Sequence, residues 1–124
     1  MHEKISIIGA GSWGTALAIH LAGNFGQISL WVHEKELCET IIRTRNNVWF
    51  LPGHRLPKNI HPTSSLQSAV ERQSLILLVV PTHVIRQTLS KIKPFIEKDC
   101  LVISASKGIE NDTLMTSHQI TQDV

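Results

Sequence analysis

The fold of this chain is decided by a glycine-rich stretch near its start, Gly9-Ala10-Gly11-Ser12-Trp13-Gly14. An apolar run at residues 5–8 precedes it, and an alanine- and leucine-rich segment at residues 16–22 follows it. This order predicts a strand, a tight turn and a helix, the context in which G-x-G-x-x-G indicates nucleotide binding. Gly9 would permit the turn, Gly11 would let a pyrophosphate approach the backbone, and Gly14 would bring the helix close to the sheet. The alternative is a glycine turn without a ligand.

Length and composition are those of one globular domain. The chain has 124 residues, of which 42% are hydrophobic, and this is enough for a single core. Its formal net charge of +2, with Lys and Arg scattered along the sequence, gives no reason to expect a nucleic-acid partner. No apolar run approaches the roughly 18 residues of a membrane span, and the N-terminus has no signal-peptide pattern. We therefore expect no membrane association and a cytoplasmic location.

The spacing of cysteine and histidine indicates neither a disulfide nor a metal site. Cys38 and Cys100 are too far apart for a C-x-x-C motif, so we expect both to be reduced. The seven histidines never occur in a ligand-spaced pair, and we expect no bound metal.

Hydrophobic periodicity predicts strands and helices in alternation. The predicted strands cover residues 4–8, 28–32, 75–80 and 101–105, and the predicted helices cover residues 13–23, 34–43, 65–73 and a segment that begins at a Thr82 cap. Asn24 and Gly26 are predicted turn residues. The alternation predicts an α/β fold with a Rossmann-type doubly wound, mostly parallel sheet flanked by helices.

Two segments lack such a pattern. Residues 44–64 contain three prolines and a glycine and predict a long loop without regular structure. Its apolar group Trp49-Phe50-Leu51 is expected to pack over the sheet edge or over a ligand. The last residues, 111–124, are polar and weakly helical at best.

Each predicted strand ends in an unusual group of residues. These groups are the glycine turn, residues 31–33, residues 80–82 and residues 105–108. Because ligands of doubly wound sheets bind beyond the carboxyl ends of the strands, we expect these groups to lie together on one rim that forms the site.

The end of the second strand bears on the choice of cofactor. NAD-binding sites usually place an acidic residue there to hold the ribose hydroxyls, but this position is His33, followed by Glu34. A carboxylate would repel the extra phosphate of NADP, whereas an imidazole can donate a hydrogen bond to it. His33 therefore favours a site that accepts NADPH, and the alternative is that Glu34 turns inward and replaces the acid.

Other candidate residues have two interpretations each. Lys107 follows a buried strand and could meet an anionic substrate or cofactor, or be a solvated loop lysine. Thr82 and His83 could line the nicotinamide side or cap a helix. Arg45 is interpreted as a loop-fixing residue rather than a cofactor contact.

These segments together resemble the N-terminal domain of bacterial NAD(P)-dependent glycerol-3-phosphate dehydrogenase. The matching segments are residues 9–18, Leu30-Trp31 with His33, Arg45-x-Asn47, Phe50-Leu51-Pro52-Gly53, Leu56-Pro57-x-Asn59-Ile60, Val79-Val80-Pro81-Thr82 and Lys107-Gly108-Ile109-Glu110. The resemblance implies that residues 1–124 are a partial NAD(P)-binding Rossmann domain and that the helical substrate domain is absent.

The same resemblance implies reversible hydride transfer between NAD(P)H and dihydroxyacetone phosphate, giving sn-glycerol 3-phosphate for phospholipid synthesis. It implies that the glycine turn, with Ser12 and Trp13, contacts the cofactor, that His33 meets the adenosine ribose and that Phe50 lines the cofactor cleft. Lys107 would contact both cofactor and substrate. The general-acid lysine and further phosphate ligands would belong to the absent domain, so we expect this chain to hold no catalytic residue and to be inactive alone.

Loss of a covering domain would expose apolar surface, and we therefore expect a homo-oligomer such as a dimer. Two other functions stay open. One is the cofactor domain of another NADP-dependent reductase, such as a ketopantoate reductase, against which Ser12-Trp13 and the segment at residues 107–110 argue. The other is a non-catalytic dinucleotide sensor.

Overall fold

The computed structural model describes residues 2–105. In chain order the elements are β1 (His2–Ile8), α1 (Ser12–Leu21), β2 (Phe25–Trp31), α2 (Lys35–Thr44), β3 (Asn46–Asn47), β4 (Leu51–Arg55), β5 (Ile60–Thr63), α3 (Leu66–Val70), β6 (Leu75–Leu78), α4 (Thr82–Ile92), a short 3-10 helix (Lys93–Phe95) and β7 (Leu101–Ser104). Lys107 and residues 111–124, for which the sequence predicted weak helicity at best, lie outside the described residues.

Five of these strands form one parallel sheet in the order β5-β2-β1-β6-β7. The chain moves outward from β1 through β2 to β5, and then returns to build β6 and β7 on the other side. The register places Ile8 beside both Trp31 and Leu78, and Leu78 beside Ser104. Four strands therefore end level with one another, and the predicted Rossmann-type α/β fold is confirmed.

Helices bury both faces of this sheet. Ile7 of β1 packs in a cluster that includes Leu30 of β2 and Leu37 of α2. The next residue, Ile8, belongs to a second cluster that includes Ile85 of α4. Successive side chains of a strand point to opposite faces, so a strand covered on both sides is apolar throughout. This explains why β1 and β6, which have a neighbouring strand on each side, contain apolar runs.

The prediction of an irregular loop at residues 44–64 was wrong. β3 and β4 form an antiparallel hairpin, and β5 extends the main sheet by pairing with β2. Pro62 lies within β5, opposite Leu30. A proline has no N–H to donate, but an edge strand needs hydrogen bonds on only one side, so β5 tolerates it.

Two local boundaries also differ from the predictions. Pro81 occupies the N-cap of α4, and Thr82, predicted as the cap, is the first buried residue of the helix. Gly26 was predicted in a turn but lies in β2, while Asn24 does form a turn, in which its N–H donates to the carbonyl of Leu21 at 2.9 Å.

No helix among residues 2–105 is both long enough and apolar enough to cross a bilayer. In the same part of the chain, no group of three or more His, Cys, Asp and Glu side chains is arranged to hold a metal ion. Cys38 is buried and Cys100 half-buried, and both are free thiols. Burial raises the pKa of each thiol, with a smaller contribution from Glu39 and Glu97 respectively.

Candidate functional site

The glycine turn between β1 and α1 is held in place by close backbone contacts. Gly9 has a φ of +126°, and a Cβ there would lie 2.6 Å from the carbonyl oxygen of Val79. A Cβ on Gly14 would collide with the carbonyl oxygen of Gly9. The turn predicted at Gly9 and the close packing predicted at Gly14 are therefore observed. Gly11 differs, since a Cβ there would meet no heavy atom within 4 Å.

The first turn of α1 presents its backbone N–H groups without a competing side chain. Gly11 is the N-cap, no side-chain cap is formed, and the first turn carries no acidic residue. The N-terminus of a helix carries partial positive charge and unpaired N–H groups, which together attract phosphate. Ser12 and Trp13 form the start of this turn, and the Trp13 ring is 55% exposed.

A cavity of about 780 Å³ lies beside this turn, at the carboxyl ends of the strands. The residues that line it are Gly9, Ala10, Gly11, Ser12, Trp13, Gly14, Trp31, His33, Glu34, Phe50, Leu66, Val79, Val80, Pro81, Val84, Gln87, Thr88, Lys91 and Ala105. They come from the ends of β1, β2, β6 and β7, from the hairpin and from α1, α3 and α4. The expected rim therefore exists up to Ala105, the last described residue.

His33 and Glu34 both border the cavity just beyond β2. The His33 imidazole makes an edge-on contact with Trp31, with ring centroids 5.5 Å apart and an interplanar angle of 61°. The Trp31 indole N–H in turn donates to the carbonyl oxygen of Ser64 at 3.1 Å. Glu34 is the N-cap of α2. The fold therefore brings both candidate ribose contacts to the same end of the cavity.

Phe50 lies between β3 and β4 and forms part of the cavity wall. The Ser12 hydroxyl donates to the carbonyl oxygen of Phe50 at 2.6 Å, which joins the hairpin to the start of α1. The neighbouring Trp49 ring packs edge-on against Phe50 at 6.3 Å and is 51% exposed. The group Trp49-Phe50-Leu51 was expected to pack over the sheet edge or over a ligand, and of its three residues Phe50 lines the cavity.

Asn47 and Thr15 are residues that the pattern-based prediction of the site missed. The Asn47 Nδ2 donates to the Ala10 carbonyl oxygen and to Thr15 Oγ1, both at 2.8 Å, while its Oδ1 accepts from the Phe50 N–H at 3.1 Å. Thr15 Oγ1 also donates to the Ala10 carbonyl oxygen at 3.2 Å. Both side chains are fully buried. The signals in the sequence were two segments of the family resemblance, residues 9–18 for Thr15 and Arg45-x-Asn47 for Asn47.

Arg45 has the structural role that was predicted for it. It ends α2 in the left-handed conformation, with a φ of 58°. Its Nη2 donates to the carbonyl oxygens of Ile60, at 2.7 Å, and of Pro57. Arg45, Thr82 and His83 are not among the described residues that line the cavity.

One face of α4 was also missed as part of the site. Val84, Gln87, Thr88 and Lys91 line the cavity, at the i, i+3, i+4, i+7 spacing that places residues on one helical face. This face adjoins the buried face of the helix, which carries Ile85, Leu89 and Ile92, and in the sequence only polar residues such as Gln87 distinguish the two faces. Among the described residues that line the cavity, Lys91 carries a positive charge and Glu34 a negative charge.

Fold and cavity together define a class: a Rossmann-type α/β domain whose candidate ligand site lies at a phosphate-attracting helix N-terminus. The family model described as NAD-dependent glycerol-3-phosphate dehydrogenase N-terminus matches residues 4–124. The chain belongs to this family.

Individual relatives agree with this assignment. The chain is 48% identical over 117 residues to a glycerol-3-phosphate dehydrogenase [NAD(P)+] of Desulfotalea psychrophila, covering 94% of this chain and 34% of that protein. It is 43% identical over 124 residues to a protein of the same name from Geobacter sp. strain M21, covering 100% of this chain and 37% of the relative. The chain therefore spans little more than a third of the length of these curated relatives.

Solved structures show the same relationship. Glycerol-3-phosphate dehydrogenase from Coxiella burnetii superposes with a TM-score of 0.90 at 28% identity, covering 98% of this chain and 37% of that one. A ketopantoate reductase from Ralstonia eutropha gives a TM-score of 0.69 at 22% identity, covering 87% of this chain and 35% of the other, which is a likeness of fold alone. The comparison favours the dehydrogenase family over the reductase alternative.

Proposed function

We propose that this chain is the cofactor-binding part of an sn-glycerol-3-phosphate dehydrogenase, which reduces dihydroxyacetone phosphate with NAD(P)H. The observation that carries the proposal is the position of the glycine turn: it leaves a central strand, opens a helix with free N–H groups and borders the cavity at the strand ends. Membership of the dehydrogenase family and the names of the relatives support the choice of reaction.

The residues present fit a dinucleotide. Backbone N–H groups at residues 11–14 would hold the pyrophosphate, because the open space at Gly11 allows it to come close. His33 or Glu34 would meet the adenosine ribose, and the Phe50 ring would cover the cleft. The nicotinamide of a bound cofactor would supply the hydride, and Lys107 is proposed to contact cofactor and substrate phosphate by its charge.

The chemical step needs more than these residues supply. Hydride transfer requires the nicotinamide, the carbonyl carbon and a proton donor to be held together, and no such donor is assigned among residues 2–105. We therefore expect the 124-residue chain alone to show no turnover of dihydroxyacetone phosphate. Measurable oxidation of NADPH that depends on this substrate would contradict that expectation.

Titration of the chain with NADPH and then with NADH tests cofactor binding directly. The fluorescence of Trp13 and Trp31, which border the cavity, should change on binding. Saturable binding at micromolar concentration, with NADPH the tighter ligand, would support the proposal and the role of His33. Absence of binding by both dinucleotides would overturn the assigned site.

A further inference from the structure

Asn47 joins the two walls of the cavity although it does not line the cavity itself. One wall is the glycine turn, and the other is the tip of the hairpin that carries Phe50. The carboxamide has both donors and an acceptor, and Asn47 uses the donors on the turn and the acceptor on the hairpin. Since the side chain is fully buried, water does not compete for these hydrogen bonds.

The bond to Ala10 controls the orientation of a peptide group in the glycine turn. A peptide unit is planar and trans, so the Ala10 carbonyl and the Gly11 N–H are fixed to each other and point in opposite directions. When Asn47 Nδ2 holds the Ala10 oxygen at 2.8 Å, the Gly11 N–H is turned away from the buried amide. Thr15 Oγ1 supports the same carbonyl from α1, at 3.2 Å.

The bond to Phe50 controls the hairpin tip in a similar way. Asn47 Oδ1 accepts the Phe50 N–H, while the Ser12 hydroxyl donates to the Phe50 carbonyl oxygen. Both polar groups of the Phe50 backbone are therefore tied, directly or through Asn47, to the glycine turn and the start of α1. The backbone of Phe50, a residue that lines the cavity, is therefore held at a set position relative to the start of α1.

We propose that Asn47 is a positioning residue for dinucleotide binding: it presets the Gly11 peptide and the Phe50 backbone without touching the cofactor. This inference rests on the proposed function, since it assumes that the pyrophosphate lies at the glycine turn. It implies that Asn47 matters for ligands that reach the turn and not for ligands that reach only the His33 end.

Asn47→Asp and Thr15→Val together test the proposal, because the first keeps the shape but removes both donors, and the second disturbs the same network without adding the negative charge that Asp carries. The full chain and both variants are titrated with NADPH and with adenosine 2′-monophosphate, which has the adenosine end of NADP but no pyrophosphate. In Asn47→Asp we expect NADPH binding to weaken by about tenfold or more, because two buried hydrogen bonds are lost, while binding of adenosine 2′-monophosphate stays within a factor of about two. Thr15→Val, which removes the hydroxyl that Asn47 shares, should shift the two ligands in the same way.

Asn59→Asp is the matched control. Asn59 Nδ2 also makes two hydrogen bonds, to the carbonyl oxygens of Ala22 and Phe25 at 2.9 Å, but it does not line the cavity. This variant should lose stability without a selective loss of NADPH. Unchanged NADPH binding in Asn47→Asp and Thr15→Val, or an equal loss for both ligands, would overturn the role of Asn47. Failure of the unaltered chain to bind NADPH would instead overturn the proposed function.

Discussion

At the scale of single residues, the three glycines of the turn have separable roles. Gly9 and Gly14 are restricted by neighbouring backbone, whereas Gly11 faces open space at the cavity. A methyl group added at each position therefore has a different physical consequence. At Gly14 it strains the folded state, and at Gly11 it occupies space that a phosphate would use.

We predict that Gly14→Ala lowers the free energy of unfolding by about 3 kcal/mol, because the new Cβ would collide with the Gly9 carbonyl. Gly11→Ala should leave that free energy within about 1 kcal/mol, since its φ of −72° suits any residue. Urea unfolding measures both values. The same Gly11→Ala variant should bind NADPH at least about tenfold more weakly. Wild-type affinity in Gly11→Ala would refute the proposed position of the pyrophosphate.

The second prediction concerns His33, which lies just beyond the end of β2. His33→Asp should weaken NADPH binding by about tenfold relative to NADH, because a carboxylate beside the 2′-phosphate adds like-charge repulsion. Fluorescence titration of both dinucleotides gives the ratio. If NADPH affinity is unaffected, His33 does not contact the phosphate, and Glu34, which borders the same end of the cavity, becomes the residue to vary.

At the scale of elements, the hairpin of β3 and β4 is, with β5, a part of the structure that the sequence did not predict. It is anchored at its base by Arg45 and at its tip by Asn47 and Ser12. Hairpin propensity is low here, since β4 contains Pro52 and Gly53. Contacts with α1 and α2 hold it in place, and a pattern within one segment cannot report such contacts.

We predict that Arg45→Gly and Arg72→Gly differ in stability although both relieve a positive φ. Arg45 and Arg72 have φ values of 58° and 62°. Arg72 is exposed, so its replacement should be neutral or stabilising by up to about 1 kcal/mol. Arg45→Gly also loses the hydrogen bonds to the carbonyls of Pro57 and Ile60, which costs about 2 kcal/mol, so it should destabilise. Equal unfolding midpoints for the two variants would contradict the anchoring role of Arg45.

At the scale of the whole molecule, one sheet edge has an apolar face without full cover. Leu101 and Ile103 of β7 are 58% and 44% exposed. β7 is also the last strand in the order of that sheet, within residues 2–105. Exposed apolar surface at the edge of a sheet promotes association between copies.

We therefore predict that the chain associates through β7 at high concentration. A double substitution, Leu101→Lys with Ile103→Lys, should shift the molecule toward monomer, because charges on an edge strand oppose pairing. Light scattering after size-exclusion chromatography measures the mass. Ile42→Lys is the control, since Ile42 is 54% exposed but lies on α2. A monomeric wild-type chain, or an equal effect of Ile42→Lys, would refute the role of β7.

The sequence by itself determined the strands β1, β2, β6 and β7 and the four helices, the parallel sheet and the position of the cavity at the strand ends. It could do so for two reasons. The local backbone at positions 9 and 14 requires glycine. A strand such as β6, which is buried on both faces, requires a run of apolar residues. It also identified His33 and Phe50 as candidates, through a motif position and through the family resemblance.

Only the tertiary structure decided how the site is held together. Asn47 lies 37 residues from Ala10 in sequence, yet one hydrogen bond joins them, and the face of α4 that carries Lys91 meets the cavity because of how the helix packs. β5 became an edge strand despite Pro62 because β2 had an open side. Such contacts depend on which segments the folded sheet brings side by side, and this information is spread over the whole chain rather than contained in any local pattern.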